Sequence, residues 1–431
     1  MTEIINLQPE KERVIIGGLS HKTANFDYTM NELKELARAD NMEVVDRVVQ
    51  NLDKMEAATY FGKGKVVEIA ELAAGLDVKV LVINDELSPS QIANLEKQTK
   101  MRIIDRTELI LEIFADRAKT REAKTQVEIA KLQYELPRVH PSANSLDQQH
   151  GGGGLANRGS GETQMELDKR VIRKRISELK QNLLTLEKSA ETQRERRQQS
   201  GLPKVALVGY TNAGKSTTMN QLLAAFDQLD ADKKQVFEKD MLFATLDTSV
   251  RTIQLPNKQK FLLSDTVGFV SHLPHNLVAS FKSTLAEAAD ADLLIHVVDY
   301  SDPHYREMME TTTQTLQEIG ITNLPTIIAF NKADLRADTN YPEVVGNDLI
   351  YSAKDPASIE KLAELIKKRI FADYQSVELL IPFADARVLA DLEAHTNVFE
   401  KNYTEAGTRV KVVLDPVRHN KYQKFVLKEK V

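Results

Sequence analysis

Gly209-Tyr-Thr-Asn-Ala-Gly-Lys215-Ser216 follows the apolar run Val205-Ala-Leu-Val208, and Asn331-Lys-Ala-Asp334 follows Pro325-Thr-Ile-Ile-Ala-Phe330. The first run has the spacing Gly-x-x-x-x-Gly-Lys-Ser at a strand-to-helix turn. Glycines there let backbone N–H groups close on phosphate oxygens, an ammonium reaches the β and γ phosphates, and a hydroxyl holds Mg²⁺. Lys215 and Ser216 supply those groups, with Gly209, Tyr210, Thr211, Asn212, Ala213 and Gly214 as the cradle. In the second run, the two carboxylate oxygens of Asp334 suit the N1–H and N2–H₂ donors of a guanine edge, a pair that adenine does not present. Asn331, Lys332 and Ala333 complete that base pocket. Together the two runs predict a guanine-nucleotide site.

Three shorter motifs fall into place around them. Asp265-Thr266-Val267-Gly268 ends a strand-like run, where Asp265 can hold Mg²⁺ through water and the Gly268 N–H can meet the γ phosphate. Phe243, Ala244, Thr245, Leu246 and Asp247 form the segment before it, with Thr245 as a second Mg²⁺ ligand and γ-phosphate sensor. Ser352, Ala353 and Lys354 close the last strand, placing the Ala353 N–H where it could meet guanine O6. A phosphate loop alone would suit a kinase or an ATPase; all five motifs in order, each at a strand end, predict a GTP hydrolase. Lys215, Asn212, Thr245 and Gly268 are its candidate catalytic residues, and Ser216, Thr245 and Asp265 its candidate metal ligands.

Phe269 follows Gly268 where many GTPases carry a Gln that orients the attacking water. A phenyl ring cannot hydrogen-bond water, so slow intrinsic hydrolysis is expected, with a partner supplying order or charge. Asn212 has two readings. Its side-chain oxygen can hold a K⁺ that offsets charge developing between the β and γ phosphates, or it serves only to accept an unusual backbone angle.

The elements that position these residues read as a doubly wound α/β sheet. Strand-like Lys204–Gly209, Lys260–Ser264, Leu293–Tyr300, Thr326–Asn331 and Asp348–Tyr351 alternate with helices starting near Lys215, Asn276, His304 and Ser358. Ligands of such sheets sit beyond the carboxyl ends of the strands. The expected organisation is a P-loop domain over 201–373, preceded by a small α/β domain over 1–104 and a long helical hairpin over 105–200, and followed by a small α+β domain over 374–431. In the first domain, strands at Arg13–Gly17, Val44–Val49 and Val78–Ile83 alternate with helical patterns, which argues a largely parallel sheet. Phe61-Gly-Lys-Gly-Lys65 lacks the spacing of a phosphate loop and reads as a turn and helix start.

Asp105 to Leu136 contains no Gly or Pro and predicts one long helix, and Thr163 to Ser200 predicts another. Their polar faces carry Arg117, Lys119, Arg121, Lys124 and Lys131, then Lys169, Arg170, Arg173, Lys174 and Arg175. The joining loop, with Gly151-Gly-Gly-Gly154, Arg158 and Gly161, reads as a flexible linker or as an RNA-contacting tip. The formal charge of −6 hides this basic concentration. Cysteine is absent, which excludes disulfides, thiolate metal sites and a cysteine nucleophile. With neither a signal peptide nor a membrane-spanning run at hand, the expectation is a monomeric cytoplasmic protein, at most peripheral to a membrane.

The chain resembles the HflX GTPases, and does so beyond the nucleotide motifs. Asp105-Arg-Thr-Glu-Leu-Ile-Leu-Glu-Ile-Phe114, Lys119-Thr-Arg-Glu-Ala-Lys-Thr-Gln-Val-Glu128, Gln133-Tyr-Glu-Leu-Pro-Arg138 and Arg158-Gly-Ser-Gly-Glu-Thr-Gln-Met-Glu166 look like that family's amino-terminal segments. The resemblance covers roughly residues 13 to 372, with Asp247-Thr-Ser249 departing from the Asp-Pro-Thr expected there. It implies GTP and GDP as ligands and binding to the large ribosomal subunit and its RNA through 117–197. It also implies splitting of stalled or idle ribosomes. A nucleotide-gated RNA-binding adaptor and a ribosome-assembly GTPase remain as alternatives.

Overall fold

Glu12–Ser20 (β1) buries Val14 through Leu19 on both faces, as a central strand flanked by helices must. It lies between Met42–Asn51 (β2) and Val80–Ile83 (β3), and Arg102–Asp105 (β4) completes a sheet in the order β2-β1-β3-β4, every pair parallel. Phe26–Ala39 (α1), Lys63–Leu76 (α2) and Pro89–Thr99 (α3) are its crossovers. The chain is seen as a computed structural model that describes residues 11–20, 25–139, 164–199, 202–226, 242–243, 248–256, 259–271, 286–396 and 398–427. Within Phe61–Lys65, Gly62 is the residue before α2 and Lys63 its first, in keeping with a turn and helix start. Ser88 caps α3 in a box with Gln91, each side chain meeting the other's backbone N–H.

The expected single helix over 105–136 is two. Arg106–Arg117 (α4) and Arg121–Glu135 (α5) are separated by Ala118, extended at φ −64° and ψ 115°, and by Thr120, whose hydroxyl accepts the Ala123 N–H at 3.1 Å. A threonine cap offers the backbone a partner that competes with helix continuation, and it does so without Gly or Pro. The second predicted helix is Gln164–Gln199 (α6), which packs on α5 through Ile129, Leu132, Ile172, Ile176 and Leu179. The Gly-rich loop between them lies outside the described residues.

The second sheet has seven strands. Lys204–Val208 (β5), Ser249–Gln254 (β6), Lys260–Asp265 (β7), Leu293–Asp299 (β8), Thr326–Asn331 (β9), Glu343–Val345 (β10) and Asp348–Ile350 (β11) lie in the order β10-β11-β9-β8-β5-β7-β6. The five inner strands are parallel and the two edges antiparallel. Lys215–Phe226 (α7), Ala286–Ala289 (α8), Tyr305–Glu318 (α9) and Pro356–Ile370 (α10) are its helices; the start expected near Asn276 lies outside the described residues. Val205, Leu207, Ile295, Val297, Ile327 and Leu349 from the strands meet Met219, Leu222, Leu362 and Ile366 from α7 and α10 in one core. Each such side chain contributes about 1.5–3 kcal/mol on burial.

A third sheet, Gln375–Ile381 (β12), Val398–Thr404 (β13) and Gly407–Leu414 (β14), runs antiparallel in the order β12-β14-β13. Ala386–His395 (α11) and Pro416–Tyr422 (α12) supply Leu392 and Tyr422 to a core with Leu379, Val410 and Val412. Among the described residues no helix is long and apolar enough to cross a membrane.

The chain divides into two units. One holds the described residues up to Glu195 together with Leu242, Phe243, Val270 and Ser271; the other holds the rest. In the first, buried Arg106 pairs with Glu32 and donates to Asn84 Oδ1 at 3.0 Å and to the Ser271 carbonyl at 3.1 Å. The Phe243 ring stands edge-on to Phe114, centroids 4.6 Å apart.

Candidate active site

β5, β7, β9 and β11 each end in one of the motifs, so the parallel sheet delivers all four to one edge. Next after β5, Lys215 is 6% exposed, and its ammonium donates to the Gly209 and Tyr210 carbonyls, both at 3.0 Å. Burial lowers its pKa to about 8, against the attraction of Asp265. His296 on β8 is buried near it and its pKa falls to about 4, by burial first and the Lys215 charge second. A neutral imidazole therefore adds no competing charge beside the lysine.

The Ser216 hydroxyl donates to Asp265 Oδ2 at 2.6 Å. A hydroxyl beside a buried carboxylate is an all-oxygen donor set that fits a hard divalent cation such as Mg²⁺. Phe269 ties this corner together through its backbone: it accepts the Thr211 N–H at 2.7 Å and donates to the Gly209 carbonyl at 3.2 Å. Its ring is 2% exposed. Gly268 has to be glycine, because a Cβ there would lie 2.7 Å from the Thr211 Cα.

On the other side, Asn331 joins three motifs. Its Nδ2 donates to the Ala213 carbonyl at 2.9 Å, and its Oδ1 accepts the Ala353 N–H at 2.8 Å. Gly214, at φ +94°, leaves room for that amide, since a Cβ would come within 2.2 Å of Nδ2. The Ser352 hydroxyl donates to Asp334 Oδ1 at 2.6 Å, orienting an exposed carboxylate. Lys332, at φ +63°, pairs with Asp299 at the end of β8.

The Ala353 N–H already has Asn331 Oδ1 as an acceptor, so an approach to guanine O6 would have to share it. Tyr210, Thr266 and Val267 are buried, and Thr266 donates to the Leu207 carbonyl at 2.7 Å. Phe243 is likewise turned into the core, onto Phe114. Ala244, Thr245, Leu246 and Asp247 lie outside the described residues. Asn212 stands at φ +59°, the angle that one of its two readings requires. Sequence reading passed over Asp299; its position, the last residue of a strand beside β9, was the available signal.

A phosphate loop, a Ser–Asp cation corner and an Asn–Asp base pocket at the carboxyl edge of one parallel sheet define a P-loop GTPase. Residues 27–115 match the family described as GTP-binding GTPase N-terminal, 117–197 the GTP-binding GTPase middle region, and 204–332 the 50S ribosome-binding GTPase family. GTPase HflX of Caldanaerobacter subterraneus subsp. tengcongensis is 38% identical over 421 residues, covering 98% of this chain and 95% of that one. GTPase HflX of Magnetococcus marinus is 40% identical, covering 93% and 91%; that of Escherichia coli K12 is 38% identical, covering 83% of each. The chain belongs to the HflX GTPase family. Among solved structures, a GTP-binding protein of Sulfolobus solfataricus in complex with GDP aligns over 84% of this chain and 99% of that one, at 22% identity and a TM-score of 0.44.

Proposed function

We propose that the protein binds GTP with Mg²⁺ at this edge, hydrolyses it slowly when alone, and couples the cycle to the large ribosomal subunit, dissociating stalled or idle ribosomes. Asn331 carries the reading of the site, because its one amide fixes the phosphate loop at Ala213 and the base side at Ala353 together. Lys215 would neutralise the β and γ phosphates, Ser216, Asp265 and Thr245 would hold Mg²⁺, the Gly268 N–H would meet the γ phosphate, and Asp334 would read the guanine edge. Mg²⁺ supplies charge neutralisation across the phosphates. Water attacks the γ phosphorus, the bond to the β–γ bridging oxygen breaks, and GDP and phosphate leave. With Phe269 in place of a water-orienting side chain, a partner would supply order, and a K⁺, where Asn212 holds one, would contribute charge.

The ribosomal partner is supported by the description of the matching family, 50S ribosome-binding GTPase. It is also supported by the exposed Lys124, Lys131, Arg170, Arg173 and Lys174 on α5 and α6. Cationic helix faces of this kind gain affinity for RNA by counterion release. Sedimentation of isolated ribosomes with the protein and GTP, or a non-hydrolysable analogue, tests the proposal. Subunits should accumulate at the expense of whole ribosomes. Whole ribosomes that carry the protein but stay intact would favour an adaptor, and binding to free subunits alone would favour a role in assembly.

A further inference from the structure

Tyr351, the residue after β11, is fully buried, and its main chain belongs to the base side of the site. Its N–H donates to the Phe330 carbonyl at 2.9 Å, and its carbonyl accepts the Ala333 N–H at 3.2 Å, so it brackets Asn331 and Lys332. Its side chain lies in the core with Met219, Leu222 and Leu362 and reaches Thr218 of α7, where the two hydroxyl oxygens are 2.7 Å apart.

Thr218 is fully buried as well. Its hydroxyl lies 2.9 Å from the Gly214 carbonyl, which also accepts the Thr218 N–H at 2.9 Å. A threonine hydroxyl has one proton. Given to Gly214, that proton leaves the oxygen to accept from the phenol, and burial pushes the Tyr351 pKa above its ordinary value, which keeps the phenol a donor. A relay of two hydroxyls therefore runs from the base side to the last glycine of the phosphate loop. The peptide that follows Gly214 is trans, so its carbonyl and the Lys215 N–H point in opposite directions. Two bonds that draw the carbonyl back into α7 thus turn that N–H outwards. Asn331 acts in the same way on the preceding peptide, where its amide donates to the Ala213 carbonyl at 2.9 Å and the Gly214 N–H is turned out.

We propose that Tyr351 is a positioning residue for phosphate binding: through the Thr218 hydroxyl it fixes the Gly214–Lys215 peptide with the Lys215 N–H aimed at the nucleotide's β phosphate, and so couples the phosphate cradle to the loop that holds the base. Resting on the nucleotide site proposed above, this role falls to a residue outside every nucleotide motif. In a buried chain of hydrogen bonds each one polarises the next. Loss of the phenol O–H therefore weakens the hold of Thr218 on Gly214, while the backbone bond keeps the helix.

The test is GDP release and affinity for Tyr351→Phe, Thr218→Val and the double variant, with Thr218→Ser as the variant that keeps the hydroxyl. Tyr351→Phe removes one oxygen and keeps the ring. It should speed GDP release about two- to tenfold, the scale of one neutral hydrogen bond. The preference for GDP over inosine diphosphate, which lacks the 2-amino group, should stay as in the wild type, because the base edge is untouched. Thr218→Val should speed release at least as much, and in that background Tyr351→Phe should add nothing. Thr218→Ser should release GDP as the wild type does. A hydroxyl pair that serves only the core would lower the thermal stability of the nucleotide-free protein and leave GDP release alone. That outcome, an additive double variant, or a changed preference for GDP would each overturn the proposal. Should Thr218→Val fail to fold, Thr218→Ala carries the same cycle, with additivity again refuting it. A wild type that binds no GDP would overturn the site itself, whereas unchanged release in Tyr351→Phe overturns this role alone.

Discussion

The base side and the hydrolytic side of this nucleotide site are built differently. On the base side, polar side chains meet one another: Asn331 spans Ala213 and Ala353, Ser352 orients Asp334, and Asp299 holds Lys332. All of these residues sit on or next to strand ends of one sheet, and none needs a partner to be in place. On the hydrolytic side, Lys215 is held by carbonyls of its own loop, and the residue after Gly268 is a buried phenylalanine. Phe243, the neighbour of the segment that contains Thr245, stands at φ +54° with its ring against Phe114. Such an angle is strained for a bulky residue and persists only where packing imposes it. Recognition is thus preorganised by the fold, while hydrolysis draws on backbone N–H groups and charge, and, among the described residues, on no side chain placed to order water.

The variant that should separate the two sides most sharply is Lys215→Ala. It removes the side-chain ammonium expected on the β and γ phosphates and should cut multiple-turnover GTP hydrolysis by about a thousandfold or more, the scale of losing a transition-state charge partner. A radiolabelled phosphate-release assay that finds turnover retained would place the chemistry elsewhere. Asp334→Asn strikes the base side instead. One acceptor becomes a donor facing the N–H groups of guanine, and GTP affinity by calorimetry should fall about a hundredfold or more, as for other sites left with an unmatched polar edge. Unchanged affinity would break the assignment of the base pocket.

Strand ends were the legible part of this molecule. The apolar runs of β5, β7, β8 and β9 are long enough to show their period, and their motifs carry fixed spacings. β4 was not legible, because Arg102–Asp105 is four residues long and abuts the cap of α4. Nor was the break at Thr120, since a capping hydroxyl leaves no Gly or Pro behind. Lys332 and Asp299 are 33 positions apart and meet only because β8 and β9 are adjacent in register, which no local pattern encodes. The same holds for Phe243, whose place among the nucleotide residues was read from its neighbours while its ring belongs to the core with Phe114.

Proton uptake separates the sides further. With its pKa lowered to about 8 by burial, Lys215 is charged before binding at neutral pH, and nucleotide affinity there should not vary with pH. Above that value the free protein holds a neutral amine, whereas bound phosphates favour the ammonium, so binding takes up a proton. Affinity should then fall by up to about tenfold per pH unit. Calorimetry of GDP binding at pH 9 in two buffers of different ionisation enthalpy should show this uptake, and its absence would mean that Lys215 keeps an ordinary pKa.

The smallest effect, and the most discriminating for the hydrolytic side, concerns Asn212. Its φ of +59° shows that the loop needs a left-handed residue here, which an asparagine accepts better than most side chains. That angle is compatible with a cation-binding role and equally with a purely conformational one, and two substitutions tell them apart. Asn212→Gly keeps the backbone angle at no steric cost and removes the side-chain oxygen. Asn212→Ala removes the oxygen and also strains the loop. If the oxygen holds K⁺ between the phosphates, the wild type should hydrolyse GTP several-fold faster in K⁺ than in Na⁺ at matched ionic strength, a modest share of the charge stabilisation at such centres. Both variants should then lose that preference, Asn212→Gly without weaker GDP binding. If the residue serves the backbone alone, Asn212→Gly should match the wild type in both salts and only Asn212→Ala should suffer; equal wild-type rates in the two salts would rule out the cation role.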